Sequence, residues 1–388
     1  MDAIYLDYMA TTPVDPMVLD AMLPVLHDMQ WCANASSIHH HMGQKALTLI
    51  EKNRTFMADI ISASPQELIF TSGATESNNL ALLGAARFYQ RQGRHIITLT
   101  TEHKAVLNVF EALTHEGFEV TYLNPAQDGL LDIVELEKAL RPDTILVSIM
   151  QVNNEIGVIQ DIENIAHLLA KRGILFHVDA AQGFGPLGIN LQQTPISLMS
   201  FSAHKIYGPK GIGALYVRKR PRVQLQPTIF GGGQEHGIRP GTLATHQIVG
   251  MSKAFELAEG VRKEEQTKLF RMRETFLQAI GDLSGWKING SMTYRVAGNL
   301  NLHIEGVDGE QLINGLYPLI VSSQSACSAS QGHTSHVLGA MGLTASQARA
   351  SIRISFGRMT VLEDIQYIGQ IFCERIEMMR KENKGENT

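Results

Sequence analysis

The chain has 388 residues, with 33 Lys+Arg against 38 Asp+Glu for a net charge of −5, and 44% hydrophobic against 18% charged residues. That length exceeds one small domain, and the balance is that of a globular chain rather than a disordered one. The mild acidity argues against direct nucleic-acid binding, which needs a basic excess, and no apolar run approaches the roughly 20 residues of a membrane span.

Residues 1–5 have neither the basic start nor the apolar core of a secretion signal. The three cysteines, Cys32, Cys327 and Cys373, are odd in number and far apart, which gives no disulfide framework. A reduced, cytoplasmic protein is expected. From about residue 65 to 220, short apolar runs alternate with helical patterns. A strand ending at Phe70-Thr71 is followed by strands over 95–100, 144–150, 174–178 and 197–201. Helices are predicted between them over 106–115, 131–140 and 162–170. Strand–helix–strand repetition predicts an α/β fold whose mostly parallel sheet has helices on both faces. A long helix over 245–280 leads to a strand at 299–304 and a closing helix at 362–380. The expected organisation is a large domain over 13–255 and a smaller α+β domain made of 1–12 and 256–388.

In such sheets ligands bind off the C-terminal ends of the strands, so residues just past each strand carry the functional signal. Lys205, in Ser202-Ala203-His204-Lys205, follows an apolar strand; a partly desolvated lysine there forms Schiff bases, and the bland alternative is a solvated loop lysine. Lys210, between Pro209 and Gly211, fits the bland role. Asp179 ends the preceding strand. An acid there beside a Schiff-base lysine is the pair that pyridoxal phosphate needs, the carboxylate keeping the pyridine nitrogen protonated; a helix N-cap is the alternative. Gly73, Ala74 and Thr75 open a helix after a strand, a layout that suits a phosphate, with Ser202 and His204 adding contacts. His103, again past a strand, is placed to stack on an aromatic cofactor and shuttle protons. His39-His40-His41 looks like a metal tract, but no Cys or carboxylate cluster supports it, and no metal is expected. Cys327 lies in a run of small polar residues read as an exposed loop, which makes it a candidate nucleophile; Cys373, among Ile371, Phe372 and Ile376, is expected in a core. Arg353, in Ser351-Ile352-Arg353-Ile354-Ser355, offers a fork for a carboxylate or an edge-strand salt bridge.

Taken in order, these segments resemble the cysteine desulfurases of the NifS/IscS type, within the class V aminotransferase-like enzymes that use pyridoxal 5'-phosphate. The likeness includes Tyr5-Leu6-Asp7-Tyr8, Ala10-Thr11-Thr12-Pro13, Thr101-Glu102-His103-Lys104, Val152-Asn153-Asn154-Glu155, His177-Val178-Asp179-Ala180-Ala181-Gln182, Arg239-Pro240-Gly241-Thr242 and Ser325-Ala326-Cys327. The resemblance implies the type I fold of these enzymes and conversion of L-cysteine to L-alanine, with Cys327 becoming a persulfide. It makes Lys205 the Schiff-base lysine, Asp179 the pyridine partner and His103 the ring-stacking acid/base. Gln182 would bond the cofactor's phenolic oxygen, and Asn154 would lie near cofactor and substrate. Ala74, Thr75, Ser202 and His204 would form the phosphate cup. Thr242 would reach the phosphate of the other subunit of a homodimer, and Arg353 would hold the substrate carboxylate. Sulfur acceptors would be an iron–sulfur scaffold or a thiolation carrier. The rival readings are a selenocysteine lyase or another class V aminotransferase-like enzyme. The chain departs from the family pattern at Ala35, Ala203 and Gln324, where Pro, Gly and Gly are usual.

Overall fold

The computed structural model describes residues 3–307, 309–323, 334–383 and 385. Cys327 and Gln324 lie outside them. The first strand, β1 (Ile4–Tyr5), pairs far from its own neighbourhood, in parallel with residues 319–320. The main sheet has seven strands: β2 (Leu68–Thr71), β3 (His95–Leu99), β4 (Glu119–Leu123), β5 (Thr144–Ser148), β6 (Leu175–Asp179), β7 (Leu198–Ser202) and β8 (Gly213–Val217). Their spatial order is β2-β8-β7-β6-β5-β3-β4. The β7-β6-β5-β3-β4 stretch is parallel, and β8 runs antiparallel to both β2 and β7. The sheet is thus mostly parallel and mixed at one side, as expected. The strands β2, β3, β5, β7 and β8 are buried at every position, the pattern of strands covered on both faces.

Helices α1 (Pro16–His27), α2 (His41–Ile60), α3 (Ala74–Tyr89), α4 (Lys104–His115), α5 (Ile133–Ala139), α6 (Ile162–Lys171), the short α7 (Phe184–Leu187) and α8 (Thr245–Ala279) follow. The predicted helix starts at 131 and 106 differ from those observed for a local reason. Asp132 caps Val134 N–H, so α5 begins after it. His103 is itself an N-cap, so α4 begins at Lys104. Helix α8 spans 35 residues, about 50 Å at 1.5 Å per residue, and serves two cores. Its Ile248, Met251 and Phe255 pack under the main sheet. Its Leu269, Met272 and Phe276 join a second core with Leu6, Leu300, Ile352 and Phe372. That second core covers a three-stranded antiparallel sheet, β9 (Trp286–Ile288), β10 (Asn299–Ile304) and β12 (Ser351–Ser355), with β12 at its edge; β11 (Leu319–Ile320) is the partner of β1. A closing helix covers Ile365–Asn383. Cys373, expected in a core, packs against this second core and is half-buried. No helix among the described residues is long and apolar enough to cross a membrane.

Three strands are also tied by a polar ladder. His177 on β6 is fully buried, with Nδ1 2.8 Å from Ser148 Oγ on β5 and Nε2 3.0 Å from Ser200 Oγ on β7. Burial pushes this imidazole down to about 4, with Asp179 opposing. Its folded-state pKa therefore lies below the ordinary histidine value near 6.5. The associated stability is complete above about pH 6.5 and drains away as pH falls toward 4, by roughly 3 kcal/mol. Urea midpoints are expected to drop over that window. His177→Asn should start lower at neutral pH but decline less steeply; a slope as steep as that of the unsubstituted chain would remove His177 as its source.

Candidate active site

The parallel strands β3, β5, β6 and β7 open at their C-terminal ends onto a cavity of about 520 Å³. Ten of the residues singled out from the sequence line it: Ala74, Thr75, His103, Asn154, Asp179, Gln182, Ser202, His204, Lys205 and Arg353. Thr242 is exposed and does not line it; Asn34 Nδ2 lies 3.4 Å from its hydroxyl. His40 of the histidine run caps α2, its Nδ1 accepting Gly43 N–H at 3.0 Å.

One end of the cavity is built for an anion. Helix α3 starts at Gly73 with no side chain capping it, so its first amide N–H groups face outward with the positive end of the helix dipole. Gly73 sits at φ +150°, open to few side chains. The β8 residue opposite must also be glycine, because a Cβ at Gly213 would lie 2.6 Å from Gly73 Cα. Thr75 and Ser202 add hydroxyls. His204 holds Thr11 Oγ1 at 3.1 Å through Nδ1, and burial, helped by Lys205 and Lys210, pushes it down to about 4, so the ring is neutral.

At the other end Asp179, 5% exposed, accepts Asn78 Nδ2 at 2.7 Å and Ala181 N–H at 2.9 Å. It therefore braces the following turn as well as facing the cavity; it is not a helix N-cap, since the short α7 that follows is capped at Gly183. Asn78 was not singled out from the sequence; its one signal is that it falls one turn after Thr75 on α3. His103 Nδ1 accepts Ala105 N–H at 3.1 Å, which leaves the proton of the neutral ring on Nε2. Burial lowers this imidazole, against the pull of Asp179. Behind it, burial holds the Glu102 carboxyl well above its usual range, although its Oε1 accepts Met150 N–H at 2.7 Å.

Lys205 reaches the cavity from a tight turn over Ala203–Lys205. Its Nζ donates to Met9 O at 2.7 Å and Ala10 O at 2.8 Å, and Gln182 Nε2 donates to the same Met9 O at 2.8 Å. The N-terminal segment is thus part of the site, a role that sequence reading missed because main-chain carbonyls leave no side-chain signature. Arg353 is 1% exposed. Its Nη1 donates to Asn154 O at 2.7 Å and its Nη2 to Asp7 Oδ1 at 2.6 Å. It lies on an edge strand in a salt bridge to Asp7 and also lines the cavity.

The comparisons with known proteins agree with this geometry. The model of the class-V aminotransferase family matches residues 4–368. The chain belongs to the class V aminotransferase family, among its cysteine desulfurases. It is 51% identical over 377 residues to the cysteine desulfurase IscS of Tolumonas auensis, covering 97% of this chain and 93% of that one. Among solved structures, a NifS-like protein matches with a TM-score of 0.90 at 36% identity, covering 97% of this chain and all 100% of its own. The structure of SspA in complex with cysteine matches with a TM-score of 0.81 at 39% identity, over 92% and 99% of the two chains. A class V enzyme uses pyridoxal phosphate, and the cavity fits that group. The uncapped α3 terminus with Thr75 and Ser202 suits the phosphate, Asp179 suits a protonated pyridine nitrogen, and His103 and Lys205 suit the ring and its aldehyde carbon.

Proposed function

We propose that this chain converts L-cysteine to L-alanine and passes the sulfur to Cys327, which then delivers it to an iron–sulfur scaffold or a thiolation carrier. The observation that carries the reading is the convergence of Lys205, Asp179, His103 and Arg353 on one cavity, although they come from the ends of three strands and the middle of a fourth, far apart in the sequence. Pyridoxal phosphate bound there supplies the electron sink that makes the substrate's Cα–H bond acidic. Ala74, Thr75, Ser202 and His204 would hold its phosphate, Gln182 would bond its phenolic oxygen, and Asn154 would lie near cofactor and substrate.

The chain's own groups do the rest. Arg353 binds the substrate carboxylate through its fork. Lys205 takes the proton from Cα, and the carbonyls of Met9 and Ala10 accept hydrogen bonds from the ammonium so formed. The neutral His103, with its N–H at Nε2, would serve proton transfer beside Lys205. The Cys327 thiolate attacks the substrate sulfur; the C–S bond breaks, its electron pair stays with the carbon fragment, and protonation at Cβ gives L-alanine. Atoms balance as L-cysteine plus thiol giving L-alanine plus persulfide. Cys327 lies outside the described residues, but both flanks of its segment are tied to the cavity. Ser322 N–H donates to Arg353 O at 3.2 Å, and His336 Nε2 lies 2.9 Å from Glu102 O.

The working unit in this reading is a homodimer in which Thr242 reaches the partner's phosphate cup, and each subunit divides into domains over 13–255 and over 1–12 with 256–388. Incubating the holoenzyme with L-cysteine and a reductant is expected to release alanine and sulfide in equal amounts. Alanine without sulfide, or neither product, would reject the assignment.

A further inference from the structure

Asp7 has no part in the chemistry above, yet it sits within hydrogen-bond distance of the most buried charge in the cavity. It directly follows β1 and Leu6, whose carbonyl accepts Ser355 N–H at 2.7 Å, and it bridges to Ser355 itself. Tyr5 Oη fixes the turn by donating to Asp7 O at 3.0 Å and Thr11 O at 2.9 Å. The carboxylate is therefore held against β12, with Oδ1 2.6 Å from Arg353 Nη2.

The other contacts of Arg353 make this pairing informative. Asn154 O occupies Nη1 at 2.7 Å, while Nε, fully buried, has no hydrogen-bond partner among the described residues. A buried N–H left unpaired is costly, and such groups in native folds call for an explanation. Arg353 nonetheless lines the cavity, so a carboxylate entering it meets this guanidinium. For that to happen the guanidinium must be held in one plane and its charge balanced while the cavity is empty. Asn154 O is neutral and cannot balance it; Asp7 does both.

We propose that Asp7 is a positioning residue that holds the Arg353 fork for the substrate's carboxylate, so that the site selects α-amino carboxylates over amines lacking one. This rests on the desulfurase reading above, in which Arg353 receives that carboxylate. Without Asp7 the fork turns about its last side-chain torsion, and recognition of the carboxylate suffers while the chemistry at Cα and sulfur is left in place.

The test titrates the full-length holoenzyme with L-cysteine and with cysteamine, its decarboxylated counterpart, following the visible absorption band. Asp7→Asn should raise the half-saturating L-cysteine concentration about tenfold or more, and cysteamine should change less than about twofold. In turnover, the loss should fall on KM, with kcat within about threefold. Arg353→Lys should show the same selectivity loss, and adding Asp7→Asn to it should cost little more, as expected for two groups acting as one unit. Asp7→Glu, which keeps the charge one methylene further out, should recover part of the L-cysteine affinity, and it decides the matter should Asp7→Asn fold poorly. An Asp7→Asn variant that binds L-cysteine like the unsubstituted chain, or that loses both ligands equally, overturns the role of Asp7. An unsubstituted holoenzyme that does not respond to L-cysteine at all overturns the desulfurase reading, and this one with it.

Discussion

Lys205→Ala is expected to lower alanine formation from L-cysteine by roughly 10³-fold or more, the scale of losing a positioned acid/base that is also a nucleophile. The side chain enters the cavity from the turn after β7, with Asp179 on the adjacent strand β6 and His103 across the opening. Among the described residues no other lysine stands in for it: Lys210 also borders the cavity but lies on its exposed rim. The fold should tolerate the change. Met9 O keeps the hydrogen bond from Gln182 Nε2 when the ammonium is gone, and the neighbouring Thr12 N–H still donates to His204 O at 3.0 Å. The variant should therefore melt close to the unsubstituted protein yet retain no covalently attached cofactor after borohydride treatment. Cofactor fixed to the Lys205→Ala chain would place the attachment elsewhere.

Cys327→Ala should cut alanine and sulfide release by a comparable factor while the visible spectrum, and its response to L-cysteine, persist. In the proposed function Cys327 is the sulfur acceptor, so its removal should stop sulfur transfer while the described groups lining the cavity still bind substrate and take its proton. The other two cysteines provide the contrast. Neither Cys32 nor Cys373 lines the cavity. Burial, reinforced by the nearby acidic groups Glu377, Asp282 and Glu374, pushes the Cys373 thiol up, which keeps it protonated and a poor nucleophile. Cys373→Ala should accordingly leave turnover unchanged. Equal activity in Cys327→Ala and the unsubstituted enzyme would transfer the sulfur-carrier role to another group.

Much of this site is legible in the sequence because parallel sheets follow a strong rule: functional residues gather where strands end. Lys205 after β7, Asp179 at the end of β6 and His103 after β3 could be placed from apolar runs alone. What stayed hidden has physical causes. The N-terminal segment contributes carbonyls rather than side chains, and it meets Lys205 across 196 positions of sequence, a separation that no local pattern reports. Asn78 looks like any polar residue in a helix's first turns until Asp179 is placed beside it. The edge strand β4 escaped because its residues are exposed or half-buried throughout, without the continuous apolar run of its neighbours. Strand β8 escaped because its antiparallel course breaks the strand–helix rhythm on which the rest was read.

The pairing of Asp7 with Arg353 joins residues 346 positions apart, and that has a consequence for how the protein is made. Asp7 leaves the ribosome 346 residues before Arg353, so this pairing must wait until everything between them has emerged. The main sheet can assemble from the nascent chain meanwhile, since its strands all lie between residues 68 and 217. The carbonyl shelf under Lys205 gains its anchorage to β12 only once these two segments meet. Long-range closures of this kind form late in folding, so the sheet is in place before the finished cavity can hold a substrate.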